Sequence, residues 1–138
     1  MITSDKQNQA SKTQLEMLQE SFSAKMKSGV PAIIRKAGKA QLKELMDDVQ
    51  AEIDEYETLK SSKGMKLKIR SIDDLMVAPI RYRIAHGMSV DAFSRKVGVS
   101  ARQIHRYEAS EYNNVNARTL KKILDGLDVQ LDGHFTAP

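Results

Sequence analysis

The chain has 138 residues, enough for one compact domain or for a small domain with a helical extension. It contains no cysteine, which excludes disulfides, thiolate metal sites and a cysteine nucleophile. Aromatic residues make up only 5% of it, so its core must consist of aliphatic residues, methionine and alanine, which favours a mainly α protein. An apolar signal core and a run of about 18 apolar residues are both missing, so we expect a cytoplasmic protein with no membrane contact.

The net charge of +4 is unevenly distributed along the chain. Lysine and arginine balance aspartate and glutamate at 10 against 10 in residues 1–64, but outnumber them by 12 to 8 in residues 65–138. This asymmetry is typical of a chain in which only the second half meets a polyanion such as nucleic acid. A solvated basic face would produce the same asymmetry, so charge alone leaves both interpretations open.

Two amphipathic helices are predicted in the first half of the chain. The first spans residues 9–27 and ends near Ser28 and Gly29. The second begins at Pro31, which lacks the amide donor that a first helical turn leaves unpaired, and runs to about Lys60. Neither helix is expected to be stable alone, so we predict a helical hairpin, packed on itself, on the second half of the chain or on a second subunit. The apolar stripe of the second helix consists of Leu42, Leu45, Met46, Val49, Ile53, Tyr56 and Leu59.

A linker sequence at residues 61–64 (Ser-Ser-Lys-Gly) divides the chain into two predicted domains. Residues 1–64 form the helical hairpin, to which we assign oligomerisation or partner binding, and residues 65–138 form the second domain. Residues 65–70 alternate apolar and basic side chains with period two, and residues 129–131 alternate in the same way. We expect these two stretches to pair in a small two-stranded sheet.

A proline interrupts the next predicted helix. Residues 73–86 would form one helix, and the preceding Ser71 resembles a helix cap, but Pro79 removes a backbone hydrogen bond inside it. Either the helix kinks at Pro79, or it begins near that residue after an irregular turn.

Two short helices separated by a tight turn follow. Ser89 can cap the first, whose inner face carries Phe93 and Val97 one turn apart, and Gly98 ends it. Ser100 and Gln103 form a capping box that opens the second. Apolar contacts from both helices with glycine at the turn are what a helix-turn-helix requires.

The second of these helices has two different faces. Ile104, Tyr107 and Glu108 project to one side, and Arg102, His105, Arg106 and Ala109 project to the other. The first side is predicted to pack against the protein, which leaves the second free to contact DNA.

This region resembles the Cro/C1-type helix-turn-helix family, or XRE family, which includes phage repressors and many antitoxins. The likeness covers residues 81–131 and is closest at residues 87–100 and 104–108. Residues 1–60 also resemble the helical extension of a subgroup found in toxin-antitoxin operons and mobile elements, notably at residues 41–45 and 52–56. The resemblance implies a lambda-repressor-like helical bundle preceded by the hairpin, and identifies residues 65–138 as a DNA-binding domain.

The family's site positions fall on named residues of this chain. The resemblance implies base contacts from Ala101, Arg102 and Arg106, and arginine suits that role because its planar fork can pair with both acceptors of a guanine. A partly buried ion pair between Arg83 and Glu108 is implied as well. The implied contacts to the DNA backbone come from Ser89, Val90, Gln103, His105, Asn113 and Asn114. Val90 departs from the family, which usually has a phosphate-contacting glutamine there.

The loop after the helix-turn-helix leads into one more predicted helix. Asn116 is expected to cap this helix, and Tyr112 is expected to pack against the bundle because lone aromatic residues usually serve the core.

The leading functional hypothesis is a repressor that binds double-stranded DNA as a homodimer at a palindromic operator. The alternative is an antitoxin that neutralises a cognate toxin protein through the hairpin and represses its own operon. An enzyme is not expected, because no phosphate loop, metal cluster or nucleophile beside a histidine is apparent. No cofactor and no metal site are expected either, since His86, His105 and His134 lack metal-ligand spacing.

Overall fold

A computed structural model describes residues 1–24, 29–62 and 66–138 of the chain. The protein is mainly helical, as predicted, and forms two compact units, Met1–Lys63 and Gly64–Pro138. The first unit contains α1 (Asp5–Ser23) and α2 (Ala32–Ser61). The second contains α3 (Ile72–Ala85), α4 (Val90–Val97), α5 (Ala101–Ala109) and α6 (Ala117–Gly126).

Helix α1 begins earlier than predicted because its cap lies before the apolar stripe. The hydroxyl of Ser4 accepts a hydrogen bond from the Gln7 amide at 3.3 Å, and Asp5 places a negative charge in the first turn. The helix ends at Ser23, short of the predicted end, and Ala24 is extended. The predicted stop at Ser28 lies outside the described residues.

The hairpin is antiparallel, and contacts at both ends of α1 define its direction. At one end, Tyr56 of α2 donates a hydrogen bond to Asp5 over 3.1 Å, and Lys60 forms an ion pair with the same carboxylate. At the other end, the ammonium group of Lys39 lies 5.6 Å from the centre of the Phe22 ring. The two helices therefore pack on each other along the length of α1.

The hairpin buries little apolar surface. No residue of α1 is buried, and α2 buries only Ile53, Tyr56 and Leu59, to which the N-terminal segment adds Ile2. Large apolar side chains remain exposed on both helices: Met17 is 63% exposed, Leu45 42%, Ile33 77% and Ile34 57%.

Helix α3 runs through Pro79 without interruption, so the alternative of a late start is wrong. Ser71 caps it by accepting a hydrogen bond from the Asp74 amide at 3.1 Å, and two acidic residues follow in the first turn. Pro79 itself is buried, as are its neighbours Ala78 and Ile80. Burial on this face stabilises a helix that its proline alone would disfavour.

The predicted two-stranded sheet is wrong, because residues 66–70 and 129–131 adopt no strand structure. Met65 lies outside the described residues. The Arg70 amide donates to the Asp74 side chain at 3.0 Å, which ties the first stretch to the start of α3. Asp128 turns the chain with a positive φ of 52°, and everything after it is exposed. The alternation of apolar and polar residues is compatible with a strand, but neither stretch has a neighbouring strand with which to pair.

The second unit is built on an aliphatic and aromatic core that fixes the position of α5. Gly126 of α6 approaches α4 so closely that a Cβ atom at Gly126 would lie 2.9 Å from the Val97 Cα atom. The fully or almost fully buried side chains are Ile80, Ile84, Phe93, Val97, Ile104, Tyr112, Ile123 and Leu127.

Candidate nucleic-acid interface

The helix-turn-helix is formed by α4, the turn at residues 98–100 and α5. Ser89 accepts from the Ala92 amide at 3.1 Å, and Ser100 accepts from the Gln103 amide at 3.3 Å, so each helix has the predicted serine cap. Gly98 ends α4 with φ of 70°, a left-handed conformation that glycine adopts without strain. Local sequence therefore fixes both helix starts and the turn between them.

Helix α6 holds the turn in place through a contact that the sequence did not reveal. The ammonium group of Lys122 donates a hydrogen bond to the Gly98 carbonyl at 2.8 Å. This carbonyl lies at the C-terminal end of α4, where a positive charge also complements the helix dipole. The spacing of 24 residues between the two carries no periodic signal, so only the folded structure reveals it.

A buried ion pair joins α3 to α5. Nε and Nη2 of Arg83 donate to the two carboxylate oxygens of Glu108 at 2.6 and 2.9 Å, and Nη1 donates to the Met88 carbonyl at 3.0 Å. The two side chains are only 8% and 6% exposed. Bidentate geometry of this kind fixes orientation as well as distance. The pair thus locks α5 relative to α3 and to the residue before the Ser89 cap.

The face of α5 opposite this pair is open to solvent. Arg102, Gln103, His105 and Arg106 are all exposed, while Ala101 is half-buried at the start of the helix. Ile104 and Glu108 on the inner face are buried. Because its inner face is fixed by burial, α5 holds two arginines in place on its exposed face. Two arginines on one short exposed helix are what reading base edges in a major groove requires.

The start of α4 lies on the same motif and offers backbone donors. Ser89 is exposed, and Val90 is half-buried. The first amides of a helix are free to bind an anion such as a phosphate oxygen, although Asp91 in this first turn opposes it electrostatically. A phosphate contact here would use the backbone, because the Val90 side chain has no polar atom.

Asn113 and Asn114 are exposed, but both already serve their own loop. The Asn113 amide group donates to the Ser110 carbonyl at 3.0 Å, and the Asn114 side-chain oxygen accepts from the Ser110 hydroxyl at 2.7 Å. Glu111 and Tyr112 have positive φ angles of 51° and 62°, which makes this a tight turn. These side chains thus shape the loop, and any phosphate contact would be additional to that.

Tyr112 packs in the core, as predicted. Its ring is fully buried and lies 5.5 Å from the ring of Tyr107. Burial, with the Glu108 carboxylate nearby, raises the pKa of its hydroxyl well above the ordinary value. The hydroxyl has no hydrogen-bond partner among the described residues. Tyr112 therefore contributes its ring to the bundle that supports α5.

Asn116 caps α6 as expected, since its side chain accepts from the Thr119 amide at 2.8 Å. In residues 1–24, 29–62 and 66–138, no group of three or more histidine, cysteine, aspartate or glutamate side chains could hold a metal ion. None of the helices in this described part is both long and apolar enough to cross a membrane.

Residues 80–134 match the family model described as Helix-turn-helix. Comparisons with curated proteins and with solved structures give no significant match. The match, together with the capped helices and the glycine turn, makes this segment a helix-turn-helix DNA-binding domain of the Cro/C1 type. The match supports an XRE-type, DNA-binding transcription regulator, with the likeness confined to this segment. Residues 1–79 lie outside the match, so the likeness of residues 1–60 to one subgroup's extension stays a prediction.

Proposed function

We propose that the protein is a cytoplasmic repressor that binds a palindromic operator as a homodimer. The carrying observation is the exposed pair Arg102 and Arg106 on α5, a helix fixed from behind by the buried ion pair of Glu108. Half-sites about one helical turn, or about 34 Å, apart would match the two recognition helices of a dimer. The proposal involves no catalytic step and no cofactor.

Within this proposal the contacts divide into two kinds. Ala101, Arg102 and Arg106 face bases, where each arginine can pair with a guanine and Ala101 offers a methyl group. The phosphate contacts come from Ser89, Val90, Gln103, His105, Asn113 and Asn114. Phosphate contacts give affinity and register, whereas base contacts give sequence preference.

Mobility shift and fluorescence anisotropy with the gene's own upstream region test the proposal. We expect the wild-type protein to bind that DNA more tightly than random DNA of equal length at moderate salt. Arg102→Ala and Arg106→Ala should each cost about 1–3 kcal/mol on the specific site and much less on random DNA.

Arg95→Ala serves as the matched control, because Arg95 is an exposed arginine in the last turn of α4 rather than on α5. This variant should keep the ratio of specific to random binding. Absence of wild-type binding to the upstream region would overturn the proposal. An equal loss on both DNAs for the α5 variants would reduce Arg102 and Arg106 to phosphate contacts.

The antitoxin alternative is favoured by one observation, the poorly covered hairpin with its exposed Ile33 and Ile34. A toxin bound there would cover this apolar surface. Co-expression tests the alternative: a neighbouring reading frame that is lethal alone, and is rescued by this protein, would support it. If no neighbouring gene product is toxic, the alternative fails.

A further inference from the structure

Helix α2 separates its charges along its length. Residues 32–43 contain four basic residues and no acidic one, and residues 44–57 contain seven acidic residues and no basic one. The basic segment consists of Arg35, Lys36, Lys39 and Lys43. The acidic segment consists of Glu44, Asp47, Asp48, Glu52, Asp54, Glu55 and Glu57.

This arrangement opposes the helix's own dipole. A helix is stabilised by acidic residues near its N-terminus and basic residues near its C-terminus. The first turn of α2 has no acidic residue, and Lys60 alone supplies a basic residue in the last turn. Apart from the Lys43–Asp47 ion pair one turn apart, the segregated charges therefore add little to the stability of the isolated helix.

Helix α1 does not balance these charges either. Opposite the acidic segment, α1 provides Lys6 and Lys12 but also Asp5, and the ammonium group of Met1 pairs with Glu52, so the net contribution there is two positive charges against seven negative ones. Lys12 pairs with Glu57, and Lys60 is the partner of Asp5. The remaining acidic residues of α1, Glu16 and Glu20, supply at most two negative charges against the four positive ones of the basic segment. An excess of one sign thus remains on each segment of α2.

Apolar residues of α2 also lack cover. The contact of Lys39 with Phe22, next to the last residue of α1, places the first turns of α2 beyond the end of α1. Ile33 and Ile34 in these turns are 77% and 57% exposed, and Leu45 near the middle of the helix is 42% exposed. Helices with an exposed apolar face of this kind are stabilised by packing against a partner helix.

We propose that α2 pairs with α2 of a second copy of this chain in antiparallel orientation. In this orientation the basic segment of each copy faces the acidic segment of the other, and the two helix dipoles oppose each other. A parallel pair would instead place like charges side by side along the whole helix. Two hairpins joined in this way form a four-helix bundle that covers the exposed isoleucines.

The proposed function already includes a dimer, and the proposal made here adds the interface and the orientation of that dimer. The test uses the full chain without DNA. Sedimentation equilibrium should show a wild-type dimer whose dissociation constant rises with salt, because screening weakens the segment contacts. A monomer at every accessible concentration would overturn the inference.

Charge exchange tests the interface itself. One variant carries Lys36→Glu, Lys39→Glu and Lys43→Glu, and a second carries Glu44→Lys, Asp47→Lys, Asp48→Lys, Asp54→Lys and Glu55→Lys. We expect each variant alone to dimerise at least about tenfold more weakly, since like charges then face each other. An equimolar mixture should recover dimers, because both segments of one helix then have a net negative charge and both segments of the other a net positive charge.

The matched control replaces the same lysines by arginine, which keeps the charge and should keep the dimer. Recovery in the mixture also shows that the variants are folded. Variants that remain as dimeric as the wild type would overturn the interface while leaving the proposed function untouched, since the chain would then dimerise elsewhere.

Spin labels test the orientation. The chain has no cysteine, so Ala32→Cys places one label at the first residue of α2, an exposed position. In an antiparallel pair the two labels lie near opposite ends of a helix pair about 45 Å long, whereas a parallel pair holds them about 10 Å apart. A short distance would overturn the inference. So would a chain that is monomeric alone and assembles only with a different protein.

Discussion

Tyr112 supports α5 with its ring, but it also buries a hydroxyl group that lacks a hydrogen-bond partner among the described residues. Its ring is fully buried. A buried polar group without a partner costs about 1–3 kcal/mol. We therefore expect Tyr112→Phe to unfold at the same or a higher temperature than the wild type, measured by circular dichroism.

Tyr112→Ala is the contrasting variant. It removes the ring from the bundle and should destabilise the protein by about 3–5 kcal/mol, as for other large-to-small core changes. A clear loss of stability in Tyr112→Phe would contradict the prediction and would show that the hydroxyl has a partner in solution.

Individual functional residues were easier to predict when their signal was local. The caps at Ser89 and Ser100 and the glycine turn follow from residues within four positions of each other, and the structure has them. The Lys122 contact with Gly98 joins residues that the sequence places 24 apart, and no spacing rule indicates it. The roles of Arg102 and Arg106 were implied by resemblance, and their exposure is what the structure adds.

At the scale of elements, the hairpin depends on ionised carboxylates. Lys60, with help from Tyr56, lowers the pKa of Asp5, and Lys12, with help from Asn8, lowers the pKa of Glu57. Both groups prefer the ionised form in the folded state. Their contribution to stability is therefore complete above the ordinary values of 3.8 and 4.5 and is lost as the pH falls through the lowered values.

NMR titration of the side-chain carboxyl groups measures this directly. We expect Asp5 and Glu57 to titrate below 3.8 and 4.5, and α1 to lose helical signal in the same acid range. Asp5→Asn should make the hairpin less sensitive to acid, because it removes one of the titrating groups. An unchanged acid response in that variant would contradict the assignment.

The crossing of α4 and α6 depends on Gly126. A Cβ atom there would meet the Val97 Cα atom at 2.9 Å and the Lys96 carbonyl at 3.3 Å, both in the backbone. Gly126→Ala gains about 1 kcal/mol of helix propensity but must shift a helix, at an overpacking cost of about 1–3 kcal/mol. We expect a lower melting temperature and weaker DNA binding.

Gly133→Ala is the matched control, since a Cβ atom at Gly133 would meet nothing within 4 Å. It should leave both stability and DNA binding unchanged. If Gly126→Ala behaved like this control, the close approach of the two helices would not limit the fold.

The elements also show where sequence patterns mislead. Helical periodicity and caps predicted each helix of the described residues in the correct order, because helices are stabilised by local contacts and caps. Period-two alternation at residues 66–70 and 129–131 did not give strands, because a strand needs a neighbour, and the pattern contains no information about one. Pro79 likewise left two alternatives that only the buried surface around it could decide.

At the scale of the whole molecule, the proposed dimer contact in the first unit and the proposed DNA contact in the second can be tested together. If α2 joins two copies and α5 reads DNA, then charge reversal on α2 should affect binding to a complete operator but not to a half-site. The variant with glutamate at positions 36, 39 and 43 lacks the proposed dimer contact and keeps every residue of α5. It should bind an isolated half-site like the wild type.

The same variant should bind the complete operator no more tightly than a half-site. In the wild type the second subunit binds intramolecularly, and the variant loses the gain in affinity that this provides. Fluorescence anisotropy on DNAs that differ only in the second half-site measures both affinities. The Lys-to-Arg control should retain the full gain. If the glutamate variant kept the complete-operator affinity, the dimer contact on DNA would have to lie in the second unit, and the first unit would serve another partner.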